Sequence, residues 1–290
     1  MTIEDCRRFY AEEVRFTGNI HSEELVEAFA RVPRESFLGP GPWEIASPDI
    51  RAAAVVADVR TSYTAIADPR QLYHNVVVAL DKGADINNGQ PSALARWIEL
   101  LDLRSGDRVQ HLGCGVGYYT AIMAEVVGSS GTVLGTEVNL QLAQRAKQNL
   151  AGYPNVTVHA GDGATFDAGP YDAMLVNAGV TRPLPLWLDR LNDGGRLLLP
   201  LTMATTHTIG IGFMVKITRR GESFAANVET GLAIYSCTSA RDEELESVLR
   251  TAITSGALTR LKSVFRHPHQ KTDACIVHGA EVCLNSGEAA

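Results

Sequence analysis

The amino-acid sequence predicts an α/β fold: a parallel sheet with helices on both faces, preceded by N-terminal helices and followed by a C-terminal extension. Three observations predict it. Strand-like and helix-like segments alternate through residues 91–201, the loops between them are short, and a glycine turn separates the first of these strands from the next helix. The repetition carries the inference further than any single motif.

Taken in order, apolar residues at helical spacing mark two short helices at residues 3–16 and 22–30. In the second, Leu25, Phe29 and Val32 follow an acidic first turn and Pro33 ends the run. GPGPWEIASPD is a turn-rich break, because proline fixes φ and glycine relaxes it. Beyond it no period stands out before the apolar run at 76–80. PSALARWIELLDL reads as a helix with Pro91 in its first turn and Leu94, Trp97, Ile98 and Leu101 along one side. DRVQHLG, TVLGTE, VTVHAGD, YDAMLVNAG and GRLLLPL read as strands. YYTAIMAEVVG, LQLAQRAKQNLAGY and PLPLWLDRL read as the helices among them. Past Leu201, two longer segments turning at Gly221 predict an antiparallel hairpin on the sheet edge. DEELESVLRTAITSG is a helix with an acidic start and a terminal glycine, and ACIVHGAEVCL predicts a small terminal hairpin.

The chain has 290 residues, 45% of them hydrophobic, enough for one substantial core with an appendage. Lys and Arg number 26 against 33 Asp and Glu, a formal net charge of -7 with no long block of either sign, which opposes non-specific binding to nucleic acid. The five scattered cysteines suit reduced thiols in the cytoplasm better than a disulfide scaffold. Neither a signal peptide nor a membrane-spanning run is expected.

The sharpest local signal is His111-Leu112-Gly113-Cys114-Gly115-Val116-Gly117, placed between a strand and a helix. Gly113 permits a tight turn, Gly115 lets backbone approach a ligand, and Gly117 permits close contact as the helix begins. Glu137 ends the next strand, where a carboxylate accepts hydrogen bonds from ribose hydroxyls; it also fits as a cap for the helix starting near Asn139. Asp162, after the third strand, fits either an adenine amino group or an ordinary turn. A dinucleotide favours GxGxxG, and here the third glycine comes one position earlier, so hydride transfer is the weaker chemistry.

The block 91–201 resembles the class I S-adenosylmethionine methyltransferases, and specifically the protein L-isoaspartate O-methyltransferase family. LLDLRSGDRVQHLGCGVGYYTAIMAEVVG, HAGDG, and YDAMLVNAG followed by LDRLNDGGRLLLPL carry the likeness, with EAFARVPRESFLG upstream; it fades after Thr238. The resemblance implies that S-adenosyl-L-methionine is the cofactor, with Gly113, Gly115 and Gly117 around its methionine portion. It places Glu137 on the ribose, Asp162 and Gly163 facing adenine, and Asn177 where cofactor and acceptor meet. His111 stands where the family has an acidic residue near the cofactor's amino group. A neutral imidazole is compatible with that position and an imidazolium is not. Tyr118 and Tyr119 border the turn and are read as pocket or core, and Trp43 as half-buried packing or a channel wall.

On the acceptor side the family pattern is threonine, isoleucine, serine, glutamine or alanine, proline. Here Asn87-Asn88-Gly89-Gln90-Pro91 matches it at Gln90 and Pro91, while Gly89 replaces the serine and Asn87 the threonine. Asp85, Asn87, Asn88 and Gln90, with Asn177, are the candidates for orienting the acceptor, although the Asn-Asn-Gly run also reads as a turn. The expected activity is O-methylation of a carboxylate in a modified peptide or natural-product intermediate. Isoaspartate methylation and non-catalytic cofactor binding are the alternatives. The acceptor is a peptide or small molecule, with no nucleic-acid or membrane partner and a homodimer left open. The expected regions are 1–80, N-terminal and acceptor-side; 81–238, the methyltransferase domain; and 239–290, the extension. His267, His269, Cys275, His278 and Cys283 match neither CxxC nor HExxH spacing, so no metal is expected.

Overall fold

The computed structural model describes residues 1–57, 59–81, 83, 86–206, 208–266 and 268–289. In chain order it begins with helices α1 (Ile3–Gly18) and α2 (Glu23–Arg31), strand β1 (Trp43–Ala46), helix α3 (Pro48–Ala57), and strands β2 (Thr64–Ile66), β3 (Val77–Asp81) and β4 (Ile86–Asn87). Helix α4 (Pro91–Leu100) opens an alternating series of β5 (Arg108–Leu112), α5 (Tyr118–Val127), β6 (Thr132–Glu137), α6 (Leu140–Asn149), β7 (Val156–Ala160), β8 (Tyr171–Val176), α7 (Pro185–Arg190) and β9 (Leu191–Ala204). Then come β10 (Ile209–Arg220), β11 (Ser223–Tyr235), α8 (Glu243–Thr254), β12 (Ser263–Phe265), β13 (Cys275–His278) and β14 (Cys283–Asn285). None of the described helices is long and apolar enough to cross a membrane.

The contacts divide the chain into two compact units, Met1–Asp107 with Cys114–Ala160, and Arg108–Gly113 with Gly161–Ala290. In the first unit, local chemistry sets the N-terminal helices. Thr2 and Asp5 exchange reciprocal hydrogen bonds as a capping box on α1, and Ser22 caps α2. Their buried faces meet in a cluster of aromatic rings: Tyr10 lies edge-on to Phe29 and Tyr73, and Tyr118 to Phe37 and Tyr119. The segment without a visible period folds as an antiparallel sheet of order β2-β1-β3-β4. Its strands have two to five residues, too few for alternation to register. β6 and β7 pair in parallel from Val133↔Val156 to Glu137↔Ala160.

The second unit is a mixed sheet of order β13-β14-β12-β11-β10-β9-β8-β5. β5–β8 and β8–β9 are parallel, and every later pairing is antiparallel. The expected hairpin at Gly221 is β10–β11, but it does not end the sheet. β12 joins β11 at Phe224↔Val264 and Ala225↔Ser263, and β14 and β13 follow. A register shift at Met214/Val215 bulges the β10–β11 pair, so that Met214 opposes Thr230, Val215 opposes Val228, and Glu229 is the extra residue. Trp187, Met174, Leu199, Val215 and Ile217 lie in this unit's core, wholly or almost wholly buried.

Candidate functional site

The glycine turn follows β5 and leads into α5. Gly115 has φ +57°, and a Cβ placed there would meet no atom within 4 Å. The residue is therefore glycine for its left-handed backbone, and the missing side chain leaves a cradle in which a ligand can lie against the main chain. Gly117 caps α5, with Leu150 packed where a side chain would be. The Cys114 N–H donates to the Thr136 carbonyl at 3.0 Å, hooking the turn to β6.

Glu137 completes this anchor. One carboxylate oxygen accepts the Gly115 N–H at 2.8 Å and the other accepts the Asn139 N–H at 2.9 Å. The cap on α6 is Asn139 itself, whose Oδ1 accepts from Gln141 and Leu142. Glu137 is almost fully buried and braces the glycine turn against the start of α6.

In the second unit, Asn177 follows β8 and donates through Nδ2 to the Gly113 carbonyl at 3.3 Å, while its backbone N–H donates to Leu112 at 2.8 Å. Asp162 forms a turn by accepting the Ala164 N–H at 2.9 Å, and the same oxygen accepts the Ser239 hydroxyl at 2.8 Å. The Gly163 carbonyl accepts the Trp187 indole N–H at 3.3 Å. His111 is fully buried on β5, and burial pushes its imidazole down to about 3.

The His111 shift makes a prediction for stability. The unfolded chain takes up the proton near the ordinary value of 6.5 and the folded chain only near 3. His111 therefore stabilises fully above that upper value and loses its contribution as pH falls through the window, by up to about 1.4 kcal/mol per pH unit. Urea titrations of His111→Gln are expected to show a flatter acid limb, by roughly 2–3 kcal/mol over two pH units below 6.5. An acid limb as steep as that of the unaltered protein overturns this.

On the expected acceptor segment, Asp85 lies outside the described residues. Asn87 ends β4, and its Oδ1 accepts the Gly89 N–H at 2.9 Å. Gly89 has φ +80°, and a Cβ there would come within 2.8 Å of Leu94 Cδ2, so the fold has no ready place for a serine. Gln90 precedes α4 and donates to the Ser92 hydroxyl at 3.0 Å. Asn88 is buried, and its Oδ1 accepts from the Val78 N–H at 3.3 Å and from Arg34 at 3.4 Å, which ties it to the frame. Tyr118 has its ring almost fully buried and its hydroxyl donating to Tyr10 at 3.4 Å. Trp43 is half-buried against the small sheet's cluster of Leu38, Ile66, Leu72 and Val78.

Arg34 is the residue that sequence reasoning missed. Fully buried, it donates to the carbonyls of Leu72, His74 and Val76 at 2.6, 3.0 and 2.7 Å and lies 5.5 Å from the Tyr10 ring centroid. Standing just after α2, it holds the segment 72–76 that leads into β3 and, at 3.4 Å, the Asn88 side chain beyond β4. Its position inside EAFARVPRESFLG was the available signal.

With this geometry established, similarity to known proteins gives it a context. The family model for protein-L-isoaspartate(D-aspartate) O-methyltransferase matches residues 44–218. The protein-L-isoaspartate O-methyltransferase 1 of Archaeoglobus fulgidus is 34% identical over 210 residues, 71% of this chain and 83% of the relative. A solved protein-L-isoaspartate O-methyltransferase superposes with a TM-score of 0.65 at 23% identity, covering 84% of this chain and 69% of its own. A putative enzyme of the same name from Plasmodium falciparum, solved with S-adenosyl-L-homocysteine, gives 0.59 at 17% identity, covering 80% and 98%. The structural likeness shows a shared Rossmann-like fold with a mixed sheet, flanking helices and added terminal elements.

Proposed function

Because the chain belongs to the protein-L-isoaspartate(D-aspartate) O-methyltransferase family, and is thus an S-adenosylmethionine-dependent methyltransferase, we propose that it methylates the free carboxylate of an isoaspartyl residue in a peptide or protein. The observation that carries this is the Gly115 cradle braced by Glu137, in a chain whose relatives carry that activity in their names.

The cofactor supplies an activated methyl group, so the protein's work is to bind, align and keep water out. In this proposal the Gly115 backbone lies along the methionine portion. Each Glu137 oxygen already accepts one backbone N–H and keeps a second lone pair for the ribose. Asp162 and Gly163 face adenine, and Asn177 steadies Gly113 while bordering the acceptor. His111, neutral, places no cation near the cofactor's amino group. Asp85, Asn87 and Gln90 orient the acceptor, with Asn88 holding the segment behind them. A carboxylate nucleophile needs no general base, which suits the lack of any family serine at Gly89. The regions 1–80 and 239–290 flank the transfer region 81–238.

A second reading, favoured by Gly89 alone, keeps the carboxylate chemistry and changes the peptide around it, as in a modified or natural-product peptide. The deciving experiment incubates the protein and S-adenosylmethionine carrying a labelled methyl group with paired synthetic peptides that differ only in isoaspartyl or aspartyl linkage. Base-labile label on the isoaspartyl peptide alone is the expected result. Cofactor binding without label on either peptide moves the second reading forward, and a folded protein that does not bind the cofactor sinks both.

A further inference from the structure

We propose that His269, Cys275, His278 and Cys283 form a structural zinc site that locks the C-terminal extension, independently of the methyl-transfer site. One ligand atom from each of the four lies within 4.8 Å of all the others. The hairpin register does this: His278 stands opposite Cys283 across β13–β14, and Cys275 stands opposite Asn285. His269 comes from the connection between β12 and β13, and its Nε2 sits 3.5 Å from the Cys275 sulfur. A tetrahedral zinc with bonds of about 2.3 Å to sulfur and about 2.0 Å to nitrogen puts such a pair about 3.5 Å apart.

The donor set points to zinc by its chemistry. Two thiolates balance the dication, two imidazoles complete a tetrahedron, and four protein ligands leave no open position for substrate or water, which marks the site as structural. Groups around the ligands already face them in a supporting way. The Thr272 N–H donates to the Cys275 sulfur at 3.3 Å, Asn285 Nδ2 approaches the same sulfur at 3.8 Å, and the Phe265 ring lies 5.4 Å from the His269 ring. The two imidazoles meet edge-on at 4.9 Å, and Nδ1 of His278 is shielded from solvent with no hydrogen-bond partner among the described residues.

Mechanical need points the same way. β12, β13 and β14 have three or four residues each, too short to hold a hairpin and its connecting loop by backbone pairing alone. A metal joining the loop to both strands of the hairpin fixes all three.

The test uses the full chain purified under reducing conditions without chelator, its metal content read by inductively coupled plasma mass spectrometry. About one zinc per chain is expected, falling at least ten-fold in Cys275→Ala and His269→Ala, while His278→Cys keeps the metal. Cobalt(II) exchanged into the unaltered protein is expected to show tetrahedral ligand-field bands and thiolate charge transfer. Because the first reading is of the unaltered protein, a variant that fails to fold does not blunt the test. No zinc retained and no cobalt spectrum after reconstitution overturns the proposal. So does, in a parallel preparation without reductant, an intact mass two hydrogens light with a peptide linking Cys275 to Cys283 as a disulfide.

Discussion

Replacing Arg34 with methionine is expected to destabilise the protein by about 3–4 kcal/mol, read as a lower urea midpoint at unchanged slope. Methionine keeps most of the stem volume, so the loss comes from the guanidinium. Without it the carbonyls of Leu72, His74 and Val76 lose a common donor; the bond to Leu72 is buried and the other two are partly buried, and a buried acceptor left alone costs about 1–3 kcal/mol. Asn88 Oδ1 and the Tyr10 ring lose a partner as well. Lysine is not expected to rescue, since an ammonium on a single stem cannot span three carbonyls as the planar fork does. A loss below about 1 kcal/mol for Arg34→Met would falsify this account of the anchor.

Glu137→Gln is expected to weaken S-adenosylmethionine binding by about 10- to 100-fold, roughly 1.4–2.7 kcal/mol, measured by isothermal titration. Two backbone donors, on Gly115 and Asn139, each bond a different oxygen of the carboxylate. An amide offers one of them an oxygen and turns an N–H toward the other, so the glycine turn loses one of its two fastenings and the proposed ribose contact loses an acceptor. Glu137→Ala is expected to be more severe. Affinity equal to that of the unaltered protein in both variants removes Glu137 from the cofactor site and leaves it a purely structural brace.

Legibility in the sequence followed element length and locality. The segments from α4 to β9 are long enough for their periods to show, and the glycine turn between β5 and α5 is a contiguous signal, so both could be read directly. The sheet of β1 to β4 could not, because its strands are shorter than the window over which alternation emerges. The place of Tyr118 beside Gly117 leaves pocket and core equally legible in the sequence, and only the fold shows its ring edge-on to Phe37 and Tyr119. Arg34 and Asn88 lie 54 residues apart and become one device only in three dimensions. The four donors near the C-terminus evaded spacing rules for a related reason: a hairpin register, and not a fixed interval, gathers them.

The partial cover of β11 has a consequence for solubility. β12 pairs only with Phe224 and Ala225, and Gly179 bonds to the Tyr235 carbonyl, so among the described strands the stretch from Asn227 to Ile234 is bonded to β10 alone. A long flat edge of that kind invites a strand from another molecule and seeds aggregates. Here the invitation is withdrawn midway: the bulge twists the ribbon, its extra residue is the charge-bearing Glu229, and Gly231 follows with no side chain to pack. The irregularity at Met214/Val215 is thereby a guard against self-association as well as a local kink.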